Sequence, residues 1–229
     1  WIFALLAMDA VAAEVPADAR YSRESIVDTI VSAQLPDGGF ALGGGEMDVD
    51  ITAMALQALA PYQAQYPEAI DAALNALSAV QLPSGGFESW GAQSSESCAQ
   101  VLLALTALDI DPESDERFQK ADGNVIDALL TFCTADGGVA HEKGGQADAM
   151  AGEQAMQALA AMALRQMGEG RFFDLTDVHP VQLEMTPDTT TETSAESGTS
   201  FPVLPVVLIV IVAAAVALVL ILKKREKKA

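Results

Sequence analysis

One turn occurs three times in this chain: Gln34-Leu35-Pro36-Asp37-Gly38-Gly39-Phe40, Gln81-Leu82-Pro83-Ser84-Gly85-Gly86-Phe87 and Cys133-Thr134-Ala135-Asp136-Gly137-Gly138-Val139. The first glycines of successive copies stand 47 and 52 residues apart. Each turn lies between two segments of helical pattern. A period of this length with two helices per period marks an array of α-helical hairpins, each burying its apolar face against its neighbours. The fold class expected is therefore all-α.

The pattern places seven helices, at 1–14, 22–34, 48–60, 67–81, 94–109, 122–134 and 147–168. Those at 22–34, 67–81 and 122–134 are amphipathic, with apolar stripes Ile26, Ile30 and Val31, then Ile70, Leu74 and Leu77, then Val125, Leu129 and Leu130. They read as an outer layer. The others are richer in Ala, Leu and Met, as in Ala53-Met54-Ala55-Leu56 and Ala99-Gln100-Val101-Leu102-Leu103, and read as an inner layer. Pro36 and Pro83 stop the helices before them. The glycine pairs supply positive φ angles, expected at Gly39 and Gly86. Phe40 and Phe87 are expected to plug the space between helices, with Val139 a weaker plug.

Composition changes abruptly beyond the repeats. Thr186 to Ser200 is rich in Thr, Ser and Glu with nothing to bury, which predicts a disordered stalk. Val203 to Leu222 is twenty residues without a charge. At the helical rise it reaches about 30 Å, the thickness of a bilayer core. Lys223-Lys224-Arg225-Glu226-Lys227-Lys228 follows directly, and a basic flank stays on the cytoplasmic side. The expected division is a repeat domain at 1–178, a cap remnant and stalk at 179–202, one transmembrane helix at 203–222 and a cytoplasmic tail at 223–229. The repeat domain would face outward from the plasma membrane. Trp1 opens on a helical pattern, which reads as the second helix of an earlier repeat and suggests a fragment.

The chain has 32 acids and 12 bases, a net charge of −20. The tail takes five bases and one acid, leaving 31 acids against 7 bases outside it, a net of −24. Such a surface repels nucleic acid, which is not expected as a partner. Cys98 and Cys133 form no disulfide framework or metal-ligand spacing. Low cysteine use outside the cell suits a Gram-positive bacterium.

The Gln-x-x-Asp-Gly-Gly-Phe turn between paired helices resembles the prenyltransferase and squalene-oxidase repeat. Asp48-Val49-Asp50-Ile51-Thr52-Ala53-Met54, Ser95-Glu96-Ser97-Cys98-Ala99-Gln100 and Phe173-Asp174-Leu175-Thr176-Asp177 are similar to the version in bacterial surface proteins. The resemblance covers residues 1 to about 178 and implies a partial α/α toroid. Its members include terpenoid cyclases, protein prenyltransferases and cobalamin carriers, and a closed ring among them has about double the repeats found here.

What the resemblance implies chemically is divided. Class II terpene cyclases protonate an alkene with the middle Asp of an Asp-x-Asp-Asp motif. Asp50 matches that position, but Ile51 stands where the last Asp would be. The alternative is that Asp48 and Asp50 cap the helix that follows. A prenyltransferase-like zinc site would need Asp, Cys and His together. Cys98 reads instead as a buried thiol, and His141 as a solvated residue in a glycine-bearing loop. No cofactor is expected, though the carriers imply a corrinoid-like ligand.

Aligning the inner helices on Leu59, Leu105 and Leu159 brings Asp50, Glu96 and Met150 level, then Met54, Gln100 and Gln154, then Gln57, Leu103 and Gln157. Asp50, Met54, Gln57, Glu96, Gln100, Glu153, Gln154 and Gln157 are therefore the candidate ligand-binding residues. Apolar walls with a few amides suit a ligand cavity; solvated or structural amides are the alternative. Trp90 and Gly43-Gly44-Gly45 are expected near the same rim. Three functions stay open: a membrane-anchored extracellular binding domain without catalysis, taking a corrinoid-like molecule or a protein or glycan partner; an isoprenoid cyclase or transferase using Asp50 as general acid; and a structural spacer for another domain.

Overall fold

A computed structural model describes residues 1–89 and 91–178. Seven α-helices run in order: α1 Ile2–Ala10, α2 Arg23–Ser32, α3 Val49–Leu59, α4 Pro67–Val80, α5 Ser95–Ala107, α6 Val125–Leu130 and α7 Ala149–Met167. A two-stranded antiparallel hairpin, β1 Glu88–Ser89 and β2 Ala92–Gln93, follows the second turn. Trp1–Asp177 form one unit around one core. Trp90, the cap remnant and stalk, the apolar run 203–222 and the basic tail lie outside the described residues. Among the described residues, no helix is long and apolar enough to cross a membrane.

Two layers are present. α1, α3, α5 and α7 pack side by side, with α5 held between α3 and α7. α2, α4 and α6 lie against that row through Ile26, Val27 and Ile30, through Ile70, Leu74 and Leu77, and through Val125 and Leu129. Leu130, expected in the last stripe, is instead exposed, because α6 ends there. Alanines make close approach possible: Ala53, Ala55, Ala99, Ala104 and Ala158 are fully shielded. Leu56, Leu59, Leu102 and Leu105 are equally buried, and each contributes roughly 1.5–3 kcal/mol.

Helix ends follow local chemistry. Asp48, Ser94 and Asp148 cap three of the four inner helices, α3, α5 and α7, accepting from Ile51, Ser97 and both Met150 and Ala151. α1 stops short of 14 because Ala12 turns to φ +47° and Ala13 N–H returns to the Met8 carbonyl. α6 is shorter than expected at both ends. Asn124 and Asp127 form a capping box at its start, and Cys133 pairs with Val139 beyond its end.

The three turns share one backbone geometry: Leu35, Leu82 and Thr134 each donate their N–H to the carbonyl of the second glycine, Gly39, Gly86 or Gly138, and accept at their own carbonyl from the N–H of the first, Gly38, Gly85 or Gly137. Positive φ falls on the first glycine of each pair, not on Gly39 or Gly86 as expected. The leading glutamine has a role that spacing alone does not disclose. Gln34 Nε2 donates to the Gly38 carbonyl at 2.8 Å and to the Ala69 carbonyl of α4 at 2.7 Å. Gln81 Nε2 donates to Gly85 at 2.8 Å and to Phe118 at 3.3 Å, just before α6. Each glutamine thus fastens its own turn and grips the next repeat. Phe40 and Phe87 are buried as expected, while Val139 is half-buried.

Candidate functional site

The parallel packing of α3, α5 and α7 brings their N-termini to one rim. Asp50, Glu96 and Met150 are each the second residue of their helix, so the alignment read from the leucines holds in register. Asp48 and Asp50 divide the work expected of both. Asp48 is the cap, its Oδ1 accepting from Ile51 N–H at 2.9 Å. Asp50 caps nothing: its Oδ1 is shielded from solvent and has no partner among the described residues. Burial pushes the Asp50 carboxyl above its ordinary range. Ser97 pulls the other way by hydrogen bonding, and the charges of Asp48 and Glu96 add to the upward shift.

Glu96 has a partner that the sequence did not disclose. His141 Nδ1 lies 2.8 Å from Glu96 Oε2, and Ser95 Oγ donates to the same oxygen at 3.1 Å. Ser95 holds this arrangement: its N–H donates to the His141 carbonyl, and its one hydroxyl proton is shared between Glu96 and the Ala140 carbonyl at 2.8 Å. The Glu96 carboxylate raises the proton affinity of His141 above the usual imidazole value. His141 is an exposed loop residue, as expected, and it is tied to Glu96 as well. It sits 45 positions from Glu96, too far for any local motif to signal the pair.

One turn deeper, three amides join in a chain. Gln57 Nε2 donates to Gln100 Oε1 at 2.9 Å and to the Gln100 carbonyl at 3.2 Å. Gln100 Nε2 donates to Gln154 Oε1 at 2.8 Å. The chain crosses α3, α5 and α7 in one direction. Gln57 meets Gln100 although its own row is one turn lower, because long helical side chains lean toward the helix N-terminus. Gln57 and Gln100 are 4% and 7% exposed, so their mutual bonds offset the cost of taking amides out of water. Met54 is half-buried and outside the chain. Glu153 and Gln157 bond one another along α7 and do not join it.

Beyond the amides, a cleft opens on the side of the inner row away from α2, α4 and α6. Leu6, Asp9, Gln57, Ala58, Pro61, Leu103 and Ala107 line it. The chain after α7 closes its far wall with Arg171, Phe172 and Phe173. This strap is anchored where Leu175 N–H donates to the Ala10 carbonyl of α1 at 2.7 Å. Asp9 is occupied structurally by Arg23 at 2.6 Å and Tyr62 at 2.8 Å. Phe173–Asp177, singled out by the resemblance, lies in this strap; its landing point on α1 is what sequence reading missed, since no periodicity extends past Gly168.

Cys98 is fully buried, and burial pushes its thiol up to about 12, so it stays a neutral core group. Among the described residues, no cluster of three His, Cys, Asp or Glu has the arrangement to hold a metal ion. The Gly43–Gly45 loop, at positive φ, is exposed.

Residues 1–186 match the prenyltransferase alpha-alpha toroid domain family. The chain is also similar to the drimenyl diphosphate synthase of Streptantibioticus cattleyicolor, at 33% identity over 115 residues. That match takes in 48% of this chain and 20% of the relative, so the chain spans about a fifth of that enzyme's length.

Proposed function

The chain belongs to the prenyltransferase alpha-alpha toroid domain family, and on that premise we propose that its inner face binds a ligand without transforming it. The observation that carries the reading is the amide chain from Gln57 through Gln100 to Gln154. It places directional hydrogen-bonding groups between an acidic rim and a small cleft of mixed polar and apolar lining. A few convergent polar groups over apolar walls is what small-molecule sites are made of. The ligand is a corrinoid-like molecule or the surface of a protein or glycan partner. The domain faces outward from the plasma membrane, held by residues 203–222, with the basic tail in the cytoplasm.

Two features support the non-catalytic reading. Ile51 removes the last carboxylate of the acid motif, and amide carbonyls along the inner face are nucleophiles that would intercept a carbocation. A second reading is favoured by one specific observation. Asp50 is a shielded carboxyl with raised proton affinity, the condition required of a general acid, and the similar relative is a diphosphate synthase by name.

The experiment is a binding screen on the full chain in nanodiscs, with a corrinoid panel as one arm. Binding that weakens at least tenfold in Gln100→Leu is expected. Failure of every corrinoid removes that ligand class. Polyprene turnover that disappears in Asp50→Asn replaces the binding reading with the enzymatic one. For the membrane arrangement, protease added to intact cells should cut within 186–200 and leave the tail protected; an exposed tail reverses the orientation.

A further inference from the structure

α7 presents an apolar face that α3 and α5 do not. It packs against α5, and its buried residues, Ala151, Ala155, Ala158 and Ala161, form one stripe. On the opposite side Ala149, Gly152, Met156, Leu159, Ala163 and Gln166 follow one another in steps of three and four residues, the spacing of a helix-pairing seam. Met156 and Leu159, at its centre, are 38% and 39% exposed. Their counterparts in the shared register, Leu56 and Leu59 in α3 and Leu102 and Leu105 in α5, are fully buried. α3 and α5 are each followed by an outer helix that packs against them, α4 and α6. After α7 the described chain turns back instead to α1, where Leu175 N–H meets the Ala10 carbonyl. The turns carry the same difference. A Cβ on Gly38 or Gly85 would meet the backbone of Ala72 in α4 or of Asn124 at the start of α6, whereas one on Gly137 meets nothing within 4 Å.

The seam matches its own reverse. Turned end for end, it sets Met156 against the partner's Leu159 and Gly152 against the partner's Ala163. Large side chains then meet in the middle and small ones towards the ends, where they let the two helices come close. Charge favours this face over the rest of the surface. The chain carries 32 acids against 12 bases, so its copies repel one another in general. The 19 residues of α7 hold one acid, Glu153, and one base, Arg165, and Arg165 is engaged by Asp109 at 3.1 Å. In the reversed pair the two Glu153 positions stand about 13 Å apart along the axis, farther than the screening length of about 8 Å in physiological salt.

We infer that this face of α7 binds the same face of a second copy of the chain, antiparallel, about a two-fold axis at the height of Gln157 and Ala158. A contact of this kind closes on itself and gives a dimer. One helix face offers less than the roughly 800 Å² per partner of a standard interface, so the dimer is weak and depends on concentration.

Sedimentation equilibrium of the full chain in dodecyl maltoside micelles should show a reversible dimer, and Leu159→Glu should weaken it at least about tenfold. Orientation is read by disulfide trapping in a Cys133→Ser background. Cys98 is buried, with its thiol pushed up to about 12, and stays out of the reaction. Gly152→Cys with Ala163→Cys should cross-link two chains under mild oxidant, and Gly152→Cys alone should not. A Cβ on Gly152 meets nothing within 4 Å, and native circular dichroism checks that the variants fold. A monomer at every concentration overturns the inference. A dimer that Leu159→Glu leaves intact overturns it too, since the contact then lies elsewhere, as at residues 203–222. Cross-linking of Gly152→Cys alone would mean a parallel pair and overturns the antiparallel geometry.

Discussion

Three glycine-to-alanine changes separate backbone strain from collision between repeats. Gly85 has φ +84°, and a Cβ built there meets the Asn124 backbone oxygen at 2.1 Å and its carbonyl carbon at 2.4 Å. Asn124 is the cap of α6, so neither partner is a side chain that can swing aside. Left-handed backbone costs alanine about 1–2 kcal/mol. Parting the turn from α6 costs about 1–3 kcal/mol more, as overpacking does. Gly85→Ala should therefore lose roughly 2–5 kcal/mol in total. Gly137 has nearly the same φ, +88°, but nothing within 4 Å of a built Cβ. Gly137→Ala should lose only the conformational part, about 1–2 kcal/mol. Gly86 lies outside the positive-φ region, and its built Cβ meets only ordinary contacts from 3.5 Å outward, so Gly86→Ala should stay within about 0.5 kcal/mol of wild type. Urea unfolding of the full chain, followed by circular dichroism, measures all three. Equal losses at Gly85 and Gly137 would refute the collision between repeats, and a loss at Gly86 matching Gly85 would refute the whole assignment of strain.

Asp50 binds its proton more tightly in the folded chain, so its contribution to stability is greatest below its unfolded pKa and declines as pH rises through the folded value. Asp50→Asn should flatten that decline in unfolding curves taken from pH 4 to 8; an unchanged slope counts against a buried carboxyl. His141 is shifted the same way by Glu96, so its pairing stabilises below the unfolded pKa and is lost as pH rises through the folded one. Because the His141 side chain is 57% exposed, His141→Ala should cost only a few tenths of a kcal/mol at pH 5.5 and nothing at pH 9; an effect equal at both pH values would mean the pair is not the cause. Phe87 is fully buried, so Phe87→Ala should cost about 3–5 kcal/mol by chemical denaturation, and a loss below about 1 kcal/mol would mean the plug is not packed.

The repeat was legible because its cause is local. Proline, paired glycine and an aromatic plug recur at fixed offsets, and the inner and outer helices differ in how many faces they bury. Register was legible too, since Leu59, Leu105 and Leu159 count back to Asp50, Glu96 and Met150 at the second position of each helix. Legibility ended where partners are distant in sequence. His141 meets Glu96 only because the loop before α7 folds back over the start of α5. The Arg171–Phe173 strap reaches α1 across the whole row, and nothing near residue 171 encodes that destination. Gly38 and Gly39 show the remaining limit: composition marks a pair, but only the backbone path decides which member takes the left-handed conformation.

The double grip of Gln34 and Gln81 gives the array a polarity. Each unit holds the one that follows it, so a unit's own sequence states whether a successor is expected. The third turn carries Cys133 in the glutamine position, and that exposed side chain reaches no outer helix among the described residues. Among the described residues, the hook is present in the first two turns and absent from the third. Lengthening the array with a further hairpin would start from Cys133→Gln, whereas replacing Gln81 with a short apolar residue should loosen the Phe118 segment from the second turn and leave α6 packed through Val125 and Leu129.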